Sequence, residues 1–368
     1  MKKYILLPII CIFTIGISYS QPRWSQEKAN GWYKQYDWLV GCNYTPAYAI
    51  NQLEFWQVET FDTAAINKEL SWAHEVGFNM MRVFLHDLLW KSDAKGFKKR
   101  MNLFLTIADK HKIKILFVLF DSCWDPIPKP GTQKTPTPFV HNSGWVQSPG
   151  RNVLENLEQN KYLKQYVTDI LKSFGTDSRI LAWDLVNEAD NTNNDAYGKI
   201  EPINKAALGY KLLSLTFQWA KKANPSQPLT AAPWSGDWSD TVKMKAFDKL
   251  CLYNSDIISF HNYGDAAYFS KSINSLQVFH RPIICSEYMA RPVRSTFQVI
   301  LPLCKENKIG ACNWGFVDGK TQTKYPWDSW TKQYKHEPAL WFHEVLRNDG
   351  SPYKQDEVDF IKKITNRL

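Results

Sequence analysis

Glu188 and Glu287 each close an apolar run, Ile180-Leu-Ala-Trp-Asp-Leu-Val-Asn-Glu188 and Pro282-Ile-Ile-Cys-Ser-Glu287. An ionised carboxylate is costly to bury without partners. Two of them at the ends of buried strands call for a chemical reason. A pair of carboxyl groups facing one pocket can cleave a glycosidic bond, one giving a proton and the other attacking the sugar carbon. The competing reading is two structural ion pairs. The choice depends on whether the chain builds a scaffold that brings positions 188 and 287 together.

Eight short apolar runs fall at 38–43, 78–84, 113–120, 180–187, 228–233, 257–261, 282–286 and 309–315. Most lack period-two alternation, as strands buried on both faces do. Helical stripes lie between them. Ile66, Leu70 and Ala73 recur at helical spacing, with Gly77 following as a C-cap. Phe97, Met101, Phe104, Leu105 and Ala108 make a second stripe, and Leu163, Val167, Ile170 and Phe174 a third. Further helices are read around 206–223, 241–252, 266–279, 295–306 and 338–346. Eight β-α units in order predict an α/β fold, a closed (β/α)8 barrel of the TIM type forming one domain over residues 21–368. Two long irregular segments, 121–152 after the third strand and 316–337 after the eighth, would overhang the barrel's C-terminal face. Barrels of this kind hold their sites there.

The strand ends, taken in order, carry Asn43, Arg82, Asp121, Asn187 with Glu188, Trp234, His261 with Tyr263, Glu287 and Trp314. This ring is polar and aromatic, unlike a packing layer. His86 and Asp87 follow the second strand and are candidates to line the same cleft. Asp184, within the fourth strand, is read as a structural hydrogen-bond or salt-bridge partner. Trp124, Trp145, Trp238, Trp327 and Trp330 fall on the loops of that face, where flat rings can stack on pyranoses. With 16 Trp in the chain, some serve the core instead.

At these positions the chain resembles the retaining β-glycosidases of clan GH-A, and among them the family 5 cellulase-like and mannanase-like enzymes. The residues that carry the resemblance are Arg82, Trp183-Asp-Leu-Val-Asn187-Glu188, His261-Asn-Tyr263, Ser286-Glu287 and Trp314, spread over residues 38–346. The resemblance implies Glu188 as acid/base and Glu287 as nucleophile. It implies that Asn187 binds the sugar 2-hydroxyl, that Arg82 keeps Glu287 ionised and that Tyr263 hydrogen-bonds it. His261 would orient the acid/base or substrate, and Trp314 would floor the reacting sugar's subsite. Asn43, Asp121, Trp234, Trp124 and Trp327 complete the expected substrate contacts. Such an enzyme needs no cofactor or metal, and its substrate is a β-linked mannan, glucan or xylan, or an oligosaccharide of these. Two departures matter: Ala189 stands where the family has Pro after its Asn-Glu pair, and Asp121 stands where many relatives have His or Asn. The alternative is a barrel that binds glycans without cleaving them.

A net charge of +9 without a basic, aromatic-interleaved stripe argues against nucleic acid as a partner. No CxxC pair or HExxH motif supports a metal site. Lys2-Lys3, an apolar stretch over 5–17 and Ser18-Tyr-Ser20 before Gln21 predict a signal peptide over 1–20. Its removal would leave a secreted or periplasmic, monomeric protein with no stable membrane insertion. Six cysteines would remain, and export permits disulfides among them. Cys42, Cys285 and Cys312 fall in predicted strands, where a free thiol acts as a small hydrophobe.

Overall fold

A computed structural model describes residues 22–367; the leader expected over 1–20 lies outside them. Eight parallel strands are present: β1 (Val40–Asn43), β2 (Met80–Phe84), β3 (Lys114–Asp121), β4 (Ile180–Asn187), β5 (Leu229–Thr230), β6 (Ile258–His261), β7 (Ile283–Tyr288) and β8 (Gly310–Asn313). Each coincides with one of the eight apolar runs. Their order is β5-β4-β3-β2-β1-β8-β7-β6, so β8 returns to β1 and the sheet curls into a nearly closed barrel. The ladder breaks only between β5 and β6. There the Asp256 N–H donates to the Leu229 carbonyl at 2.7 Å and the His261 N–H to that of Pro233 at 3.2 Å. The run at 228–233 shrinks to two strand residues because the prolines at both its ends have no N–H to give.

Alternation along the strands sorts side chains into two cores. Met81, Val83, Phe117, Leu119, Trp183 and Leu185 point outward and pack under the helices. Met80, Leu116, Ala182, Ile284 and Cys312 form a separate apolar floor at the strands' N-terminal ends. Trp24, Trp32, Tyr33 and Tyr36 pack beneath that floor; Trp32 and Tyr33 are presented by a helix the periodicity did not reveal, Gln26–Tyr33, and the other two flank it. One level up, the inward positions turn polar with Arg82 and Asp184, both buried. All six described cysteines are free and buried.

Helices follow most strands as expected, with Gly77 closing Thr63–Val76 at a φ of +107°. The eighth helix is a correction. Residues 338–346 are not helical, and the helix lies further on, at Gln355–Ile364. The apolar residues of the earlier stretch, Trp341, Phe342, Val345 and Leu346, are all buried in an irregular segment bridged to Val317 and Pro352. The later helix has Asp356 and Glu357 in its first turn and Lys362 and Lys363 in its last, which suits the helix dipole. Among the described residues no helix is long and apolar enough to cross a membrane.

Candidate active site

Glu188 and Glu287 meet over the barrel mouth. One oxygen from each, with a nitrogen of His261, lies within 4.8 Å of the others. Local backbone irregularities aim both carboxyls inward. Strand β4 ends at Asn187, and Glu188 takes a left-handed φ of +43°. Consecutive side chains on a strand point to opposite faces, so this turn is what lets Asn187 and Glu188 both reach the pocket. Opposite, the pairing of β7 with β8 shifts register between Cys285 and Tyr288, and its pairing with β6 shifts next to His261. That bulge re-aims Glu287.

Arg82, wholly buried, organises the nucleophile side. Its Nη1 donates to Glu287 Oε1 at 2.7 Å and to Asn43 Oδ1 at 2.9 Å. Its Nη2 donates to Asp184 Oδ2 and Asn187 Oδ1, both at 2.7 Å, and its Nε to Asp184 at 3.0 Å. Tyr263 gives its hydroxyl to Glu287 Oε2 at 2.8 Å. Charge-assisted bonds of this kind favour the ionised carboxylate.

Glu188 has a different neighbourhood. Its Oε1 lies 2.8 Å from His261 Nδ1. Its Oε2 accepts from the Asn191 side-chain amide at 2.7 Å and from the Cys123 thiol at 3.3 Å. Burial pushes the His261 imidazole down to about 4, so the ring is neutral near pH 7. Burial also raises both glutamates above the usual carboxylate range. Two carboxylates this close share one proton. Arg82 and Tyr263 draw the charge to Glu287, leaving the proton on Glu188. One group ionised and one protonated, at a separation nearer the roughly 5–5.5 Å of retaining pairs than the roughly 6.5–9.5 Å of inverting ones, can perform a double displacement. The same trio is a group of described side chains close enough to ligate a metal ion. Arg82 pairs with one member of that trio, Glu287, and shares its charge with Asp184.

The pair opens into a cavity of about 400 Å³. Asp121, Asn187, His261, Tyr263, Trp314, Trp234, Trp124 and Trp327 line it, as do Trp145 and Trp330. Trp314 meets Phe84 and Trp145 edge-on at 5.9 and 6.2 Å. Asp121 accepts from Trp145 Nε1 at 2.6 Å and from Asn187 Nδ2 at 2.9 Å, so it braces the residue before the acid.

Other expectations are corrected. Arg82 and Asn43 do not border the cavity; they sit one layer below, where Asn43 also donates to the carbonyls of Ser286 and Asn313. His86 and Asp87 are buried and face the third loop, with Ser148 Oγ donating to Asp87 at 2.7 Å. Trp238 packs on Phe260 instead of lining the cleft. The sequence reading missed Asn191 and Cys123. Their one signal is position, just past the ends of β4 and β3.

The sequence model of glycosyl hydrolase family 10 matches residues 139–251, which include Glu188 but not Glu287. No protein of curated function matches the chain. Solved structures share its architecture at low identity. A GH5_18 protein from Streptomyces cattleya, in complex with GlcNAc, aligns at a TM-score of 0.59 and 12% identity over 89% of this chain and 80% of that one. An exo-β-1,4-mannosidase from Opitutaceae bacterium strain TAV5 gives 0.58 and 17% over 90% and 60%. An endo-1,4-β-D-mannanase from Thermotoga petrophila RKU-1 gives 0.53 and 13% over 90% and 100%. Matched segment, barrel and paired glutamates agree: the chain has the scaffold and the carboxylate pair of a retaining glycoside hydrolase.

Proposed function

We propose that this protein hydrolyses a β-mannoside with retention of anomeric configuration, Glu287 acting as nucleophile and Glu188 as acid/base. The observation that carries the reading is the 4.8 Å cluster, in which one carboxyl is held by Arg82 and Tyr263 and the other is not. In the first step a Glu287 oxygen bonds to the anomeric carbon as the bond to the leaving oxygen breaks. That oxygen takes the proton of Glu188. In the second step Glu188, now ionised, takes a proton from water, whose oxygen displaces Glu287 from the same carbon. Asn187, fixed by Arg82 and Asp121, presents its amide to the reacting sugar, and Trp314 offers a face for it to stack on. The mannanases and mannosidase among the structural relatives support mannose as the sugar.

Steady-state kinetics on aryl β-mannosides test this. Glu287→Ala should nearly abolish turnover. Glu188→Ala should cost about 10²–10⁴-fold on substrates with poor leaving groups, and far less on activated aryl leaving groups in the first step. Azide should partly restore its second step and yield a β-mannosyl azide. Wild-type rates in both variants would overturn the assignment. A barrel that binds glycans without cleaving them would release no product at all.

A further inference from the structure

Segment 122–150, after β3, is fastened to the loops on one half of the barrel mouth. Towards β1, Asn51 Nδ2 donates to the Gly144 carbonyl at 2.9 Å and Gln52 Nε2 to that of Val146 at 3.0 Å. Towards β8, the Asn142 N–H donates to the Thr321 carbonyl at 2.8 Å and the His141 N–H to Ser329 Oγ at 3.0 Å. Towards β4, the Trp124 N–H donates to Asn193 Oδ1 at 2.9 Å, and Gln147 Nε2 to Glu201 Oε1 at 2.5 Å. Buried Lys205 bonds the same Glu201 and also reaches the Ser122 carbonyl at 2.6 Å. Among the described residues, no hydrogen bond joins this segment to the loops after β5, β6 or β7. The segment is therefore held by the loops after β8, β1 and β4, and it brings Trp124, His141, Asn142 and Trp145 to the cavity wall on that side.

A long chain can thread a site only if both ends of the cleft are open. Here Trp145 of the segment meets Trp314 edge-on at 6.2 Å, so a sugar resting on Trp314 has one edge against the segment. Asn142 adds an independent observation. It lines the same cavity and is only 1% exposed, yet neither amide atom has a partner. A buried side-chain amide with no partner is rare and costly, and a ligand hydroxyl would satisfy it.

On the hydrolase reading above, we infer that the segment closes the cavity beyond Trp314, that this end receives the non-reducing terminal sugar of a β-linked oligosaccharide, that Asn142 hydrogen-bonds one of its hydroxyls, and that single sugars are removed from chain ends. The probe is β-1,4-mannohexaose labelled at its reducing end, with products of the wild-type protein sized over time. Labelled products should shorten by one sugar at a time. Intermediate lengths in the first turnovers would overturn terminal action while leaving the hydrolase reading intact. No cleavage of this oligomer or of any aryl β-glycoside would overturn both. Asn142→Ala should lower kcat/KM on an aryl β-mannoside roughly 10–100-fold. Asn142→Gly, which accepts the left-handed φ of +49° at that position, should show the same loss with an unchanged melting temperature. Among 3-, 4- and 6-deoxy substrates, one should be penalised in the wild type and not in either variant. Equal penalties in all three proteins would overturn the role of Asn142.

Discussion

His261 decides which oxygen of Glu188 carries the proton. Its Nε2 lies 3.5 Å from Glu287 Oε1 and is best occupied by hydrogen, since a lone pair there would face the carboxylate. Nδ1 is then an acceptor, and the proton of Glu188 belongs on Oε1. Asn191 and Cys123 donate to Oε2, which makes that oxygen the charge-bearing one after proton transfer. Their bonds stabilise the carboxylate and oppose the rise caused by burial. Activity needs Glu287 ionised and Glu188 protonated, so it is lost as pH falls through the first group's pKa and as pH rises through the second's. Asn191→Asp keeps the side-chain oxygen that accepts from the Asn193 N–H at 2.8 Å but removes the donor to Glu188 and adds a negative charge. The alkaline limb of kcat/KM should move to higher pH, with roughly a tenfold loss at the optimum. An unmoved alkaline limb would deny Asn191 any hold on the acid.

At the scale of elements, the turn at Glu188 depends on what lies behind it. Ala189, in place of a proline, leaves residue 188 without the restriction that a following proline imposes. Helix Lys205–Ala223 then closes on the turn so tightly that a Cβ at Gly209 would lie 1.7 Å from the Ala189 carbonyl oxygen. Gly209→Ala must push the helix away or rotate the turn. It should cost about 1–3 kcal/mol of stability, as overpacking does. It should also lower kcat on substrates that need acid assistance more than on activated ones, because the displaced residue is the acid. Parallel melting curves and leaving-group series would check this. Equal losses on all leaving groups would mean the strain never reaches Glu188.

The whole molecule keeps chemistry and closure at opposite ends. Polar groups crowd the C-terminal face, and the N-terminal face is sealed by apolar side chains from residues 24–36. Arg23 and Trp24 fasten this segment to the barrel, through the Leu252 carbonyl at 2.7 Å and Asp256 Oδ1 at 2.8 Å. Deleting residues 22–36 uncovers the floor made by Met80, Leu116 and Ile284. Losing several half-buried aromatic side chains should cost on the order of 5 kcal/mol and lower the melting temperature by on the order of 10 °C. The KM of the remaining folded protein should be unchanged, since the site lies at the other end. A raised KM would show that the two faces are coupled.

Much of this was legible in the chain. Hydrophobic runs and helical stripes are properties of neighbouring residues, and they placed all eight strands and the two glutamates at their ends. Pro228 and Pro233 carry in their chemistry the reason why β5 is short. The eighth helix was misplaced because Trp341, Phe342, Val345 and Leu346 are buried by contacts distant in sequence, which mimic a stripe without making one. Tertiary structure alone decided the rest: that Arg82 and Asn43 work from beneath the pocket, that Asn191 and Cys123 reach the acid, and that segment 122–150 supplies Trp124, Asn142 and Trp145 to the cavity wall. These facts depend on distances between residues far apart in the chain and on backbone turns such as that at Glu188. Periodicity and composition report only which face a residue prefers, and not what stands opposite it.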